Sequence, residues 1–159
     1  MTNAAEVLID GVEVKRLVLY ADARGSVMEL LRSDDSIFEK FGQVYVTSCK
    51  PGVAKAWHYH EKQAEYFSCV KGVLKLVLYD GREGSLTKGK AQEFLISLDN
   101  PLLVKIPPFV FHGFECATDG EVIAICIKTE PYNPKEPDKV RVPFNSPLIP
   151  YKWKSKTGG

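Results

Sequence analysis

Three histidines occur in the chain, and two of them, His58 and His60, are separated by a single residue. On a β-strand, residues two apart point to the same face, so this pair presents two imidazoles side by side. A turn through Glu61-Lys62-Gln63 returns the chain antiparallel and places Glu65 beside them. The third histidine, His112, follows Pro107-Pro108-Phe109-Val110-Phe111, where the prolines end one strand and aim the next. Three imidazoles and one carboxylate make a mixed nitrogen and oxygen set suited to Fe, Mn, Ni, Cu or Zn, with positions left open for substrate. An imidazole also titrates near neutral pH, so the same residues can move a proton.

The elements that must hold these groups read as short runs rich in Val, Ile, Tyr and Phe, broken every eight to twelve residues or so by Gly, Pro, Asp or Asn. Strands are expected over residues 12–20, 26–31, 43–49, 53–60, 64–70, 73–79, 93–97, 102–106, 111–117 and 122–128. One short helix is expected in SDDSIFEKF (33–41), capped by Ser33, Asp34 or Asp35. Within the strand of His58 and His60, Trp57 and Tyr59 alternate with the histidines and should face away, into core or dimer packing. After Lys128, prolines at 131, 134, 137, 143, 147 and 150 forbid regular helix or central strand. Residues 129–159 therefore read as an extended Pro-rich C-terminal arm on a barrel spanning about 12–128, with 154–159 frayed.

At 159 residues and 45% hydrophobic composition, the chain suits one domain that needs no staple for its core. Basic residues number 21 and acidic residues 20, so no global field favours nucleic acid or a membrane surface. An anionic ligand must be held by local groups, such as Lys50, Lys55 and Lys71 if they flank a pocket mouth. Cys49, Cys69, Cys116 and Cys126 form no CxxC pair and sit in apolar stretches, which fits reduced thiols and a cytoplasmic protein. No window approaches 18 uninterrupted apolar residues, so no membrane span is expected.

The spacing Gly52-x5-His58-x-His60-x4-Glu65-x6-Gly72 resembles the first motif of the cupins, all-β jelly-roll barrels that bind metal through such a set. Their second motif is met by Pro107 and His112, whereas Pro101, Phe109 and Cys116 stand where Gly, Gly and Asn are usual.

Five further segments resemble, in order, the dTDP-4-dehydrorhamnose 3,5-epimerase family. They are Asp22-Ala23-Arg24-Gly25, residues 52–59 (GVAKAWHY), Val70-Lys71-Gly72, residues 106–114 (IPPFVFHGF) and residues 128–134 (KTEPYNP). This resemblance implies an isomerase that moves a proton beside the ketone of a nucleotide-linked 4-keto-6-deoxy sugar, in deoxysugar or polysaccharide assembly, without an organic cofactor. It implies His58 as base, Tyr132 as acid, Arg24 and Lys55 as diphosphate contacts, and a homodimer formed by an exchanged N-terminal strand. Two departures stand out: Glu65 replaces a lysine of the family that stabilises the enolate, and Ser146 replaces an aspartate that partners the base. A divalent metal on His58, His60, Glu65 and His112 would answer the first departure by polarising the carbonyl. The competing readings are a metal-dependent cupin oxygenase, lyase or sugar-phosphate isomerase, and a sugar-binding cupin without turnover.

Overall fold

The computed structural model describes residues 9–159, and among them lie thirteen β-strands and no helix. In chain order they are β1 (Glu13–Arg16), β2 (Leu19–Asp22), β3 (Gly25–Met28), β4 (Gln43–Cys49), β5 (Val53–Tyr59), β6 (Glu65–Lys71), β7 (Leu74–Tyr79), β8 (Ala91–Ile96), β9 (Leu102–Ile106), β10 (Phe111–Cys116), β11 (Val122–Lys128), β12 (Val140–Arg141) and β13 (Thr157–Gly158). One antiparallel sheet runs β1-β9-β6-β11-β4 and a second runs β12-β5-β10-β7-β8, the jelly-roll arrangement expected. β13 joins the second sheet parallel to β5, and β2 and β3 form a separate hairpin.

Alternation explains the core. In β8, Gln92, Phe94 and Ile96 turn inward while Ala91, Glu93 and Leu95 face solvent. Phe94 and Ile96 meet Leu74, Leu76 and Leu78 of their own sheet and Phe67, Cys69, Val104 and Cys126 of the other. Each large apolar side chain so buried stabilises the fold by roughly 1.5–3 kcal/mol. The outer faces are covered as well. Leu17 and Ile37 pack on Tyr66, Leu103 and Ile127, while the C-terminal segment lays Ile149, Tyr151 and Trp153 over Trp57 and Val77.

Several boundaries differ from those read in the sequence. The run 12–20 splits into β1 and β2 because Leu17 turns into the outer cluster and its N–H donates to Pro101 O at 2.9 Å. Residues 33–41 form turns instead of a helix. The Asp35 carboxylate accepts the Arg32 N–H and the Lys15 ammonium, and the segment bends round Tyr66, whose hydroxyl donates to Ile37 O and accepts the Glu39 N–H. The last residues are not frayed: Thr157 and Gly158 pair with Val53 and Ala54, and buried Glu115 accepts the N–H groups of Lys154 and Ser155. Trp57 does face away from the histidines, with its indole N–H donating to Phe144 O at 3.1 Å.

Candidate functional site

The two sheets bring their functional residues together at one end of the barrel. From the second sheet, β5 carries His58 and leads into His60, while β10 carries His112 directly opposite His58. A β-bulge separates His112 from Phe114 in that ladder, with Gly113 between them. A Cβ on Gly113 would lie 2.3 Å from Ala56 Cβ, so only glycine lets β10 approach β5 closely enough to set His112 beside His58. Just upstream, Phe109 holds φ at 66°, which accounts for the glycine usual at this motif position. From the first sheet comes Glu65, paired opposite Ile106 on β9 and Lys128 on β11.

Glu65 is the hub. Its Oε2 lies 2.9 Å from His112 Nε2, 3.1 Å from His60 Nε2 and 3.8 Å from His58 Nε2. Its Oε1 accepts the Tyr45 hydroxyl at 2.8 Å and lies 3.7 Å from the Lys128 ammonium. Burial alone would raise this carboxyl, but hydrogen bonds from the three imidazoles outweigh it and hold Glu65 well below the usual carboxylate range. His58 is moved the other way: burial, with the nearby His112, lowers it well below the ordinary imidazole value, so the ring is neutral near pH 7. Tyr45 is pushed far up, by burial and by Glu65, and stays a hydrogen-bond donor.

Ring orientation is fixed from outside. His112 Nδ1 donates to Val110 O at 3.0 Å, and His60 Nδ1 donates to Asp138 O. Both Nε2 atoms therefore turn to Glu65 Oε2, and each can bond that oxygen only through a proton on Nε2 or a cation set between them. The Lys128 ammonium, 3.2 Å from His60 Nε2, supplies part of that charge. The ligand atoms of His58, His60, Glu65 and His112 all lie within 4.8 Å of one another, and their outward hydrogen bonds have the form that orients metal-ligating histidines. The residues fit a divalent transition ion.

Two cavities flank the cluster. One of about 470 Å³ is lined by His58, Tyr45, Thr47, Lys55, Lys139 and Arg141, among others. The second, of about 370 Å³, is lined by His60, Lys128 and Tyr132, and Lys139 borders both. Lys139 is exposed as a residue, yet burial against the cavity wall and the adjacent Arg141 lower its ammonium below the usual lysine range. Of the residues singled out in the sequence, His58, His60, Glu65 and His112 cluster together, and Lys55 reaches the His58 cavity. Tyr132, 64% exposed, stands in the adjoining cavity with His60. Arg24 lies on the β2–β3 hairpin, exposed and forked onto Asp22, and lines a separate cleft. Ser146 is buried and offers no carboxylate, so the one near His58 is Glu65.

Tyr45, Lys128, Asp138, Lys139 and Arg141 escaped sequence reasoning. Asp138 accepts the N–H groups of Glu61, Lys62 and Gln63 on its carboxylate, fixing the turn between His60 and Glu65. The signal for Lys128 was present as a charge ending an otherwise apolar strand, VIAICIK.

Residues 20–140 match the family described as Polysaccharide biosynthesis C-terminal domain. The chain belongs to that family. As a member of the polysaccharide biosynthesis C-terminal domain family, it is 40% identical over 149 residues to the spore coat polysaccharide biosynthesis protein SpsL of Bacillus subtilis, covering 94% of this chain and 99% of that protein. It is 37% identical over 153 residues to the probable low-salt glycan biosynthesis epimerase Agl13 of Haloferax volcanii, covering 95% and 98%. The crystal structure of a dTDP sugar isomerase from Desulfovibrio desulfuricans superposes with a TM-score of 0.88 at 30% identity, over 94% of this chain and 95% of that one. Similarity extends to dTDP-4-dehydrorhamnose 3,5-epimerases.

Proposed function

We propose that the chain is an epimerase of a nucleotide-linked 4-keto-6-deoxy sugar in polysaccharide biosynthesis, with His58 as the base. The observation that carries this reading is His58 itself, a neutral imidazole on a cavity wall with an ionised carboxylate behind it. Nε2 faces Glu65, which leaves Nδ1 to take the proton from the carbon beside the ketone. The C–H electrons pass to the ketone oxygen as an enolate, and Glu65 stabilises the imidazolium that forms. Glu65 then does the work of the carboxylate absent at Ser146. Tyr132, across Lys139 with His60 and Lys128, returns a proton to the ring from the other side. In deuterated buffer, a dTDP-4-keto-6-deoxyhexose should gain solvent deuterium at C3 or C5, read by NMR. No exchange in that sugar or its UDP counterpart would contradict the reading.

The convergence of His60 and His112 Nε2 on one oxygen of Glu65 favours a second reading, in which His58, His60, Glu65 and His112 hold a divalent transition ion. When bound there, such an ion supplies Lewis-acid polarisation of the substrate carbonyl. His58 is then a ligand, and the proton falls to Tyr132. Activity that survives exhaustive chelation supports the first reading over the second.

The active form proposed is a homodimer. The β2–β3 hairpin stands apart from both sheets, a unit marginal by itself, and exposes Tyr20 and Val27, while the edge strand β4 exposes Val44 and Val46. A second copy that covers these surfaces would place Arg24 at an intersubunit site, and light scattering reads the mass. No helix of the described residues is long and apolar enough to cross a membrane, and the four cysteines are unpaired, which supports a cytoplasmic location.

A further inference from the structure

Glu115 is a buried carboxylate that the proton transfer does not use. It lies on β10 three residues after His112, and since Phe114 turns into the core, Glu115 faces the outer side of the sheet. There it pairs with the buried ammonium of Lys75. Its oxygens also accept the N–H groups of Lys154 and Ser155, at 3.3 and 2.9 Å. Lys75 in turn lies against the rings of Tyr151 and Trp153, 5.7 and 6.0 Å from their centroids. The ion pair thus grips both the backbone and the aromatic side chains of one segment, residues 143–159.

That segment leaves and rejoins the barrel at the cavity beside His58, where Val142, Pro143 and Gly159 form part of the lining. Val142 exchanges hydrogen bonds with Trp57 at 3.1 Å each way, and the Gly159 N–H donates to Ala54 O at 3.2 Å. Between these points the backbone bonds to itself, with the Ser146, Ile149 and Tyr151 N–H groups donating to Pro143, Ser146 and Ile149 O. Prolines at 143, 147 and 150 have no N–H to offer a ladder. Among the described residues, Glu115 is the one barrel group that accepts backbone N–H bonds from residues 143–156. The seat is also imperfect: the buried Trp153 indole N–H finds no partner among the described residues, and release to water would satisfy it. β13 adds only two exposed residues, parallel to β5. A segment with so few backbone bonds to the barrel opens before the barrel does.

We infer that Glu115 is a positioning residue: it latches residues 143–159 as a strap that walls the cavity beside His58, and the strap opens as one unit to admit a nucleotide-linked sugar and closes over it. The identity of that ligand rests on the proposed epimerase reading. The strap itself stands on the contacts of Glu115.

Amide hydrogen exchange of the full chain, read by mass spectrometry with dTDP as the probe, tests it. Peptides from 143–159 should exchange about tenfold faster than β7 or more, through openings that leave the barrel intact, and dTDP should slow them. Glu115→Gln should speed strap exchange by roughly tenfold to a hundredfold, the scale of a hydrogen bond to a charged group, while β7 keeps its protection. The same variant should raise KM for the keto sugar more than it lowers kcat. Should Glu115→Gln unfold the barrel, Gly158→Ala decides by the same acceleration, because its Cβ would lie 2.5 Å from Ala54 O and unseat β13. Strap exchange that matches β7, strap exchange that dTDP does not slow, or a Glu115→Gln loss confined to kcat would overturn the inference. A strap slowed by dTDP with no deuterium entering any keto sugar means that the reaction is wrong and the strap stands. Deuterium entry with a strap that opens only with the barrel would sink the strap and leave the reaction intact.

Discussion

Lys128 stands directly opposite Glu65 on the neighbouring strand, its ammonium 3.7 Å from Glu65 Oε1 and 3.2 Å from His60 Nε2. Glu65 stands where the resemblance implies a lysine, and β11 brings the Lys128 ammonium beside it. One buried carboxylate thus gathers Tyr45, Lys128 and three imidazoles, so the charge lost with the family lysine is redistributed within the cluster.

Glu65→Gln should therefore cost about 3 kcal/mol of stability, because the buried Lys128 ammonium and the groups hydrogen-bonded to Glu65 lose their charged partner. Urea unfolding measures it. A loss below about 1 kcal/mol would mean that the cluster does not depend on the carboxylate.

Stability should fall on the acid side from near pH 6.5. Below that value the unfolded His58 takes a proton that the folded, buried ring refuses, so the unfolded state binds more protons and stability rises with pH. Glu65 adds to the same slope once the pH passes below its ordinary value near 4.5, since it stays ionised when folded. A melting temperature flat from pH 7 to 4 would contradict both assignments.

Gly113→Ala should destabilise the fold by about 2 kcal/mol and reduce turnover, because the new methyl drives β10 away from Ala56 and shifts His112. Gly120→Ala, where the nearest atom is a Thr118 side-chain oxygen 3.9 Å away, is the control that should change little.

Zinc, nickel or manganese at a hundred times its dissociation constant should stabilise the wild type by about 2.7 kcal/mol. The His60→Ala variant should gain far less, because one of the four ligands is gone. Thermal shift with and without chelator reads the difference, and equal shifts in both proteins would place the ion elsewhere.

Tyr132→Phe should separate two observables, keeping deuterium exchange beside the ketone while lowering formation of the inverted product. The reason is its position in the cavity with His60, apart from His58. Equal loss of both would assign Tyr132 to proton removal.

The barrel and the His58, His60, Glu65 and His112 set were legible because period-two alternation and motif spacing are local. What was not legible is long-range. Asp138 lies 75 to 78 positions from the turn and histidine it holds, and nothing in its neighbourhood marks it. Lys139 and Arg141 read as solvated charges in a proline-rich stretch until the β12 register sets them beside His58. The helix expected at 33–41 failed for a tertiary reason, since Lys15 and Tyr66 claim the groups that a helix would use.

The most direct test of the account compares His58→Asn with the wild type for deuterium incorporation into a dTDP-4-keto-6-deoxyhexose, at matched folding and matched dTDP affinity. Loss of a positioned general base should slow exchange by about 10²- to 10⁴-fold while dTDP still binds. Exchange at the wild-type rate would remove His58 from the reaction and contradict the account.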